Sequence, residues 1–250
     1  MEKDKIKILL NPSNRDYNVK KIKQLAGYYD DTKLTEFKED KINDNDLTKL
    51  ANYYNSDKGD NFGCSHNYTK IYEEIFKEHK NKSNEGYEIN LFEIGVACGS
   101  SLKMWASYFK DSKITGIDIN PKCREFCKNF DNIEILIGDV LNHEIKKEYD
   151  IIIDDGSHLA DDIIQTFYKL FPLLKKDGIY VIEDLQACRN KIYVMSHFKY
   201  KSRKYSDDEE KFMEMNSRPK IDEFYKCLDK HKFNYKKNSN SDSEVCFIYK

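Results

Sequence analysis

"INLFEIGVACGSSLKMWASYFK", residues 89–110, decides the fold. "INLFEIG" is a short apolar run that stops at a glycine, the pattern of a buried strand. Gly95 and Gly99 then let the backbone turn tightly and approach a ligand closely. "SLKMWASYFK" follows as a helix with Leu102, Trp105 and Phe109 on one side. Strand, glycine loop and helix make the opening unit of a parallel α/β sheet. The spacing is not G-x-G-x-x-G, so a dinucleotide pyrophosphate is not favoured.

The same alternation continues downstream. "KITGIDI" is a strand, and "PKCREFCKNF" a helix opened by Pro121, where proline is tolerated. "IEILIGD" and "DIIIDD" are strands. "ADDIIQTFYKLFPLLKK" is expected to be one long helix stopped near Gly178, before a fifth strand, "GIYVIED". In the tail, "HKFNYKK" and "EVCFIYK" flank "NSNSDS" and read as a hairpin, the second strand antiparallel at a sheet edge. The expected fold is Rossmann-like: a mostly parallel seven-stranded sheet with an antiparallel C-terminal strand and helices on both faces. Upstream, "SDKGDNFGCSHNYTKIYEEIF" is a polar glycine-containing loop, then a helix from about Tyr68. Residues 1–56 are expected to form a helical cap or oligomerisation segment, and residues 57–250 the catalytic domain.

Composition narrows the function classes. The 250 residues carry 42 basic and 44 acidic side chains, a net charge of −2, so no basic excess points to nucleic acid. No apolar run approaches the roughly 18 residues of a membrane-spanning helix. The seven cysteines are scattered, and the pair Cys123 and Cys127 lacks the second pair of a zinc set. Reduced thiols in a cytoplasmic protein are expected.

Ligands of open α/β sheets bind beyond the carboxyl ends of the strands. All five parallel strands end there in glycine or acid: Gly95, Asp118, Asp139, the pair Asp154–Asp155, and the pair Glu183–Asp184. Glu93 puts a carboxylate beneath the glycine loop. Asp118, 23 residues beyond Gly95, can accept both hydroxyls of a ribose, and Asp139 can face an adenine amino group. "DDGSH", residues 154–158, poses a separate question. Adjacent carboxylates repel, so a positive group is expected nearby. Asp155 with Glu183 and Asp184 would offer hard oxygen ligands of the kind Mg²⁺ takes; the same acids would also serve as caps and solvated loop ends.

E-x-G-x-x-x-G at 93–99, then "GIDI" and "IGDV", resembles the class I S-adenosylmethionine-dependent methyltransferases. The resemblance implies that Glu93, Gly95, Gly99 and Ser100 frame the methionine part of that cofactor. Asp118 would take its ribose, Asp139 and Val140 would border its adenine, and Asp154 would face the cofactor side. Ala97 stands where the usual G-x-G-x-G form has its middle glycine. Across residues 55–187, "SDKG", "HNYTKIYEEIF", "DDGSH" and "YVIEDLQ" resemble the mycinamicin-type sugar O-methyltransferases of macrolide tailoring. That resemblance implies Mg²⁺ on Asp155, Glu183 and Asp184, with His158 as general base. Catechol O-methyltransferases place an Asp and a later acid/amide pair similarly, with a lysine three residues after the Asp. Here Asp155 and Glu183 are 28 positions apart, and His158 lies three beyond Asp155.

The chemistry suits these groups. A sugar hydroxyl is a poor nucleophile that a metal ion acidifies and orients. A histidine, with an ordinary pKa near 6.5, can take its proton. His66, Tyr68 and Gln186 are further candidates for substrate contact. The 188–217 segment is an insertion of the kind that recognises substrates, and Lys199, Lys201, Arg203 and Lys204 in it are candidates for a diphosphate. The expected activity is O-methylation of a sugar, carried on a nucleotide or on a glycosylated product, by a protein that could form homo-oligomers. Related sequences also bear the label cephalosporin hydroxylase, but a non-haem iron site needs two histidines and a carboxylate, and only His158 is well placed. A cofactor-binding protein without catalysis is the third reading.

Overall fold

The computed structural model describes residues 41–42, 44–60, 66–201, 208–239 and 243–250. Seven strands form one sheet: β1 (Ile89–Ile94), β2 (Ser112–Asp118), β3 (Ile133–Ile137), β4 (Tyr149–Asp154), β5 (Leu174–Ile182), β6 (Asn234–Ser239) and β7 (Glu244–Tyr249). Their order is β3-β2-β1-β4-β5-β7-β6. The first five are parallel, and β7 runs antiparallel to both β5 and β6. The antiparallel C-terminal strand is as expected, but it lies inside the sheet. The polar, lysine-bearing β6 forms the edge, where charge discourages pairing with another chain. The order reverses between β1 and β4, which puts the ligand crevice of such a sheet beyond Ile94 and Asp154.

Side-chain alternation sorts the strands onto two cores. Leu91, Ile151, Ile153, Val181 and Phe247 join one cluster, which also holds Trp105 of α4 (Ser100–Tyr108) and Phe109 just after it. Phe92, Ile152, Tyr180, Ile182 and Ile248 join the other, under α5 (Ala160–Leu170) and α8 (Arg218–Lys230). The sequence pattern made α4 one-sided, yet its Ser101–Tyr108 are all buried, Lys103 included. Its outer face is covered by α1 (Leu47–Tyr53), whose Leu47, Leu50 and Ala51 belong to the first core. This part of the expected N-terminal segment is therefore packed into the main fold. Residues 1–40 and 43 lie outside the described residues. Next come α2 (Thr69–Ile75) and α3 (Lys77–Asn84), which divide at Phe76.

Two expected helices are shorter than the pattern implied. The long helix of 160–176 stops at Leu170, because Pro172 has no amide proton and its ring collides with the preceding turn. β5 then starts at Leu174, before Gly178. Residues 121–130 give only a 3₁₀ turn, Pro121–Phe126, capped by the Asn120 side chain. The 188–217 insertion forms α6 (Lys191–Lys201) and α7 (Glu209–Asn216). Val194 and Phe212 of these helices pack on Leu159 in a small core of their own.

Candidate active site

The glycine loop is built on close approach. Gly95 has φ +91°, and a Cβ there would sit 2.0 Å from the Asp155 carbonyl oxygen. Gly99 has φ +72°, and its Cβ would meet Cys127 Sγ at 2.3 Å. Neither position tolerates a side chain. Ala97, between them, also adopts a left-handed backbone, φ 47°. A non-glycine residue pays about 1–2 kcal/mol there, while glycine costs more order on folding, about 0.4–1 kcal/mol. Ala97→Gly is thus expected to stabilise the protein by about 0.5–1 kcal/mol. A urea unfolding midpoint that falls in this variant would contradict the strain.

Asp118 holds this loop. Its Oδ2 accepts from the amides of Val96 (2.9 Å) and Ala97 (3.0 Å), and its Oδ1 from Asn120 (2.8 Å). Asp139 lies two residues past β3. It accepts from the Leu141 amide at 2.9 Å and from the Asn142 side chain at 3.2 Å, with Val140 buried beside it. Ser100 opens α4 directly after Gly99. Glu93 is fully buried under the loop. Its Oε2 accepts from Trp105 Nε1 at 2.9 Å, and burial raises its carboxyl to about 7 against the opposing charge of Lys58.

The adjacent acids of "DDGSH" part across the sheet. Asp154 turns to the second core, where Tyr180 donates to it at 3.4 Å and burial pushes its carboxyl up to about 7. Asp155 turns to the first. Glu93, Asp155 and Glu183 extend the same face of β1, β4 and β5, and one buried cation meets all three. Lys58 Nζ donates to Asp155 Oδ2 at 2.7 Å and to Glu183 Oε2 at 2.8 Å, and lies 3.8 Å from Glu93 Oε1. Its side chain is 1% exposed. Burial opposes the ammonium, but Asp155, then Glu183 and Glu93, outweigh it and hold Lys58 well above the ordinary lysine range. Burial also raises Glu183 well above a normal carboxylic acid, against the opposing charge of Lys58. The positive group that the paired acids called for is this lysine.

Glu183, the third expected ligand, meets Lys58 with one carboxylate oxygen. Its second oxygen accepts from Tyr72 at 2.5 Å, and Tyr72 packs edge-on against Trp105. Both oxygens face the protein. The groups that converge are Asp155, His158 and Asp184, with one ligand atom from each within 4.8 Å of the others. His158 Nε2 is 3.9 Å from Asp155 Oδ1 and 3.8 Å from Asp184 Oδ2. Carboxylates gathered here suit a divalent cation, with the imidazole placed beside them to act on an acceptor oxygen. His158 and Asp184 both have left-handed backbones, φ 54° and 55°. Strain of this kind is held in place by surrounding contacts. The contacts are visible: Tyr193 of the insertion donates to the Ser157 carbonyl at 2.9 Å, and Cys188 Sγ reaches the His158 carbonyl at 3.3 Å. Ser157 bridges the start of α5, donating to Asp162 at 2.7 Å and accepting from the Leu159 amide at 3.4 Å.

The three candidates for substrate contact surround Asp184. Tyr68 is 2% exposed and donates to Asp184 Oδ1 at 2.8 Å. Gln186 donates to the same oxygen at 3.1 Å and accepts from the Glu244 amide at 2.8 Å, so both its ends are spent on the protein. His66 stacks on Tyr68, its Nδ1 3.6 Å from Asp184 Oδ1. Tyr68 and Gln186 thus hold one Asp184 oxygen and leave Oδ2 towards His158. The side chains of Lys199, Lys201, Arg203 and Lys204 lie outside the described residues. Lys58 and Tyr72 are the site residues that sequence reasoning missed. Lys58 stands in the "SDKG" loop, and nothing local in the sequence ties it to the strand ends.

A family profile described as "Methyltransferase domain" matches residues 92–185. The chain is 34% identical over 156 residues to the mycinamicin VI 2''-O-methyltransferase of Micromonospora griseorubida, a match covering 56% of this chain and 36% of that enzyme. It is 32% identical over 154 residues to the demethylmacrocin O-methyltransferase of Streptomyces fradiae, covering 56% and 36%. The MycE methyltransferase of the mycinamycin pathway, solved in complex with Mg and SAH, superposes with a TM-score of 0.58 at 25% identity, over 84% of this chain and 55% of that one. The chain spans little more than a third of the length of these curated relatives and about half of the solved one. By its fold and its residues 92–185 the chain resembles the class I methyltransferases, and among them the mycinamicin-type sugar O-methyltransferases.

Proposed function

We propose that the chain moves the methyl group of S-adenosylmethionine to a sugar hydroxyl, with Mg²⁺ held by Asp155, Glu183 and Asp184 and with His158 as the base. The observation that carries this reading is the convergence of Asp155, His158 and Asp184 at the sheet's switch point, beside the Gly95 loop. The relatives named for methylating macrolide and tetracenomycin sugars support the substrate class. A nucleotide-linked sugar or a glycosylated product is the proposed acceptor. Cytoplasmic placement belongs to the proposal too; among the described residues the six cysteines are unbridged, and no helix is long and apolar enough to cross a membrane.

When bound, Mg²⁺ would polarise and orient neighbouring hydroxyl oxygens of the acceptor. Asp155, Glu183 and Asp184 would supply its carboxylate ligands. Tyr68 and Gln186 fix the Asp184 carboxylate, and Lys58 fixes Asp155. His158 receives the hydroxyl proton at Nε2 while the acceptor oxygen bonds to the methyl carbon and the sulfonium C–S bond breaks. Asp118 keeps the glycine loop in its turn and takes the cofactor ribose. Holding the two reactants in line supplies about 7 kcal/mol or more in favourable cases. The donor set speaks against the iron hydroxylase reading, since one imidazole and two carboxylates converge rather than two imidazoles and one carboxylate.

Mass spectrometry of nucleotide-sugars and glycosylated acceptors, incubated with enzyme and methyl donor, is expected to show the gain of one methylene. Binding of S-adenosylhomocysteine, followed by calorimetry, is expected to weaken at least tenfold in Asp118→Ala, because a charged hydrogen bond contributes about 1.5–3 kcal/mol. Asp118→Asn keeps a carbonyl acceptor for the loop amides and should retain part of that affinity. Unchanged affinity in both variants would move the ribose to another strand end.

A further inference from the structure

We infer that Tyr193 of the insertion is the positioning residue of the base: its hydroxyl fixes the peptide that enters His158, so that the α6 helix sets the direction of the imidazole. The inference rests on the reading of His158 as the base. Residues 157 and 158 lie between β4 and α5, outside both ladders. A residue has two soft backbone angles, and the peptide planes on its two sides define them. Both planes at His158 are held from the insertion side. The Tyr193 hydroxyl donates to the Ser157 carbonyl at 2.9 Å, and Cys188 Sγ donates to the His158 carbonyl at 3.3 Å. The left-handed backbone of His158, φ 54°, is one that a residue with a side chain keeps when its surroundings impose it. A thiol is a weak donor, so the phenol is the stronger of the two ties.

Tyr193 is itself placed by local structure. The Asn190 side chain caps α6, accepting from the Ile192 amide at 3.0 Å and the Tyr193 amide at 3.1 Å. One residue on, Val194 packs with Leu159, the neighbour of His158, and with Phe212 of α7. One turn on, His197 sets its ring 4.8 Å from the Tyr193 ring and its Nδ1 3.0 Å from the Tyr193 carbonyl oxygen. The Tyr193 ring lies 6.0 Å from the His158 ring, tilted by 43°. Burial first, then the charge of Asp184 with Asp155 and Asp162 behind it, raises the phenol above the ordinary tyrosine range, so it stays a donor. Ser157 is thus tied twice. Its hydroxyl joins it to Asp162 and the Leu159 amide of α5, and its carbonyl joins it to α6. A base needs such ties, since misplacing a reacting group by about 1 Å costs about 10²-fold in rate.

The test is Tyr193→Phe in the full chain, which keeps the ring and its packing and removes the hydroxyl alone. Methyl transfer is followed with whichever nucleotide-sugar or glycosylated acceptor gains a methylene in the mass-spectrometric assay. Tyr193→Phe is expected to lower kcat about tenfold and to leave the acceptor KM and the S-adenosylhomocysteine affinity within about threefold. In a His158→Gln background the same change should lower kcat by less than about twofold, because a residue that acts through the imidazole has nothing left to act on. An equal loss in both backgrounds overturns the inference, as does near-normal kcat in Tyr193→Phe itself. A readout without acceptor is the His158 ring resonance in protein labelled with ¹³C-histidine, identified by its absence from His158→Gln. It is expected to broaden or divide in Tyr193→Phe, and one sharp, unmoved resonance overturns the inference. Near-normal turnover in His158→Gln overturns the base and the inference together. Wild-type protein that methylates none of the acceptors overturns the methyl-transfer reading, and the resonance then decides by itself whether Tyr193 orients the ring.

Discussion

His158→Ala is expected to lower turnover by about 10²–10⁴-fold, the usual contribution of a positioned acid–base group, while S-adenosylhomocysteine binds with nearly unchanged affinity. The imidazole is 6% exposed, at the C-terminal end of β4, beyond the turn that Gly156 allows. Its backbone is left-handed, and the surrounding chain fixes that conformation through Tyr193 on Ser157 and Cys188 on His158 itself. The ring stands 3.8–3.9 Å from two carboxylates, beyond hydrogen-bond length, so Nε2 has room to meet a hydroxyl placed between them. Turnover numbers from initial rates, beside calorimetric cofactor binding, test the assignment. His158→Gln separates a base from a ligand: turnover should collapse while Mn²⁺ affinity holds within a few-fold. Near-normal turnover in either variant would mean that the proton leaves by another route.

The sheet was legible because its information is local. Apolar runs of four to seven residues, each ended by glycine or acid, carry strand, direction and ligand end together. Alternation along β4 also held the answer to the paired acids, since neighbouring residues of a strand face opposite sides; Asp154 and Asp155 are separated by the sheet itself. The reading of "DDGSH" went instead to a metal for the missing positive charge. Lys58 was illegible for a physical reason. It reaches Asp155 and Glu183 across 97 and 125 positions of chain, and no periodicity links a loop lysine to two strand ends. The same applies to Tyr68 and Gln186. Both donate to Asp184, and whether a hydroxyl or an amide meets substrate or a buried carboxylate depends on three-dimensional packing. Pro172 was a local signal overlooked, since a proline inside an apolar helical pattern ends it.

Exhaustive removal of divalent cations is expected to lower methyl transfer by about 10²–10³-fold, and Mg²⁺ to restore it, because charge stabilisation by a bound cation contributes several kcal/mol and each 1.4 kcal/mol is a factor of ten. Asp184→Asn should reproduce the loss at fixed Mg²⁺. The substitution is nearly isosteric: the amide keeps a carbonyl oxygen to accept from Tyr68 and Gln186, so the supporting bonds survive. What changes is the oxygen facing His158, which loses its charge or becomes an amide donor. Asp155→Asn should act in the same direction with an added cost in stability, because it also weakens the partner of a buried lysine, and breaking a buried ion pair costs about 3–5 kcal/mol. Cofactor affinity should survive both changes. Gly95 packs on the Asp155 backbone carbonyl, which the substitution leaves in place, and the loop amides are held by Asp118. Initial rates with chelator and with Mg²⁺ titrated back, beside S-adenosylhomocysteine binding, separate the two effects. Full turnover in metal-free enzyme would remove the cation from the mechanism.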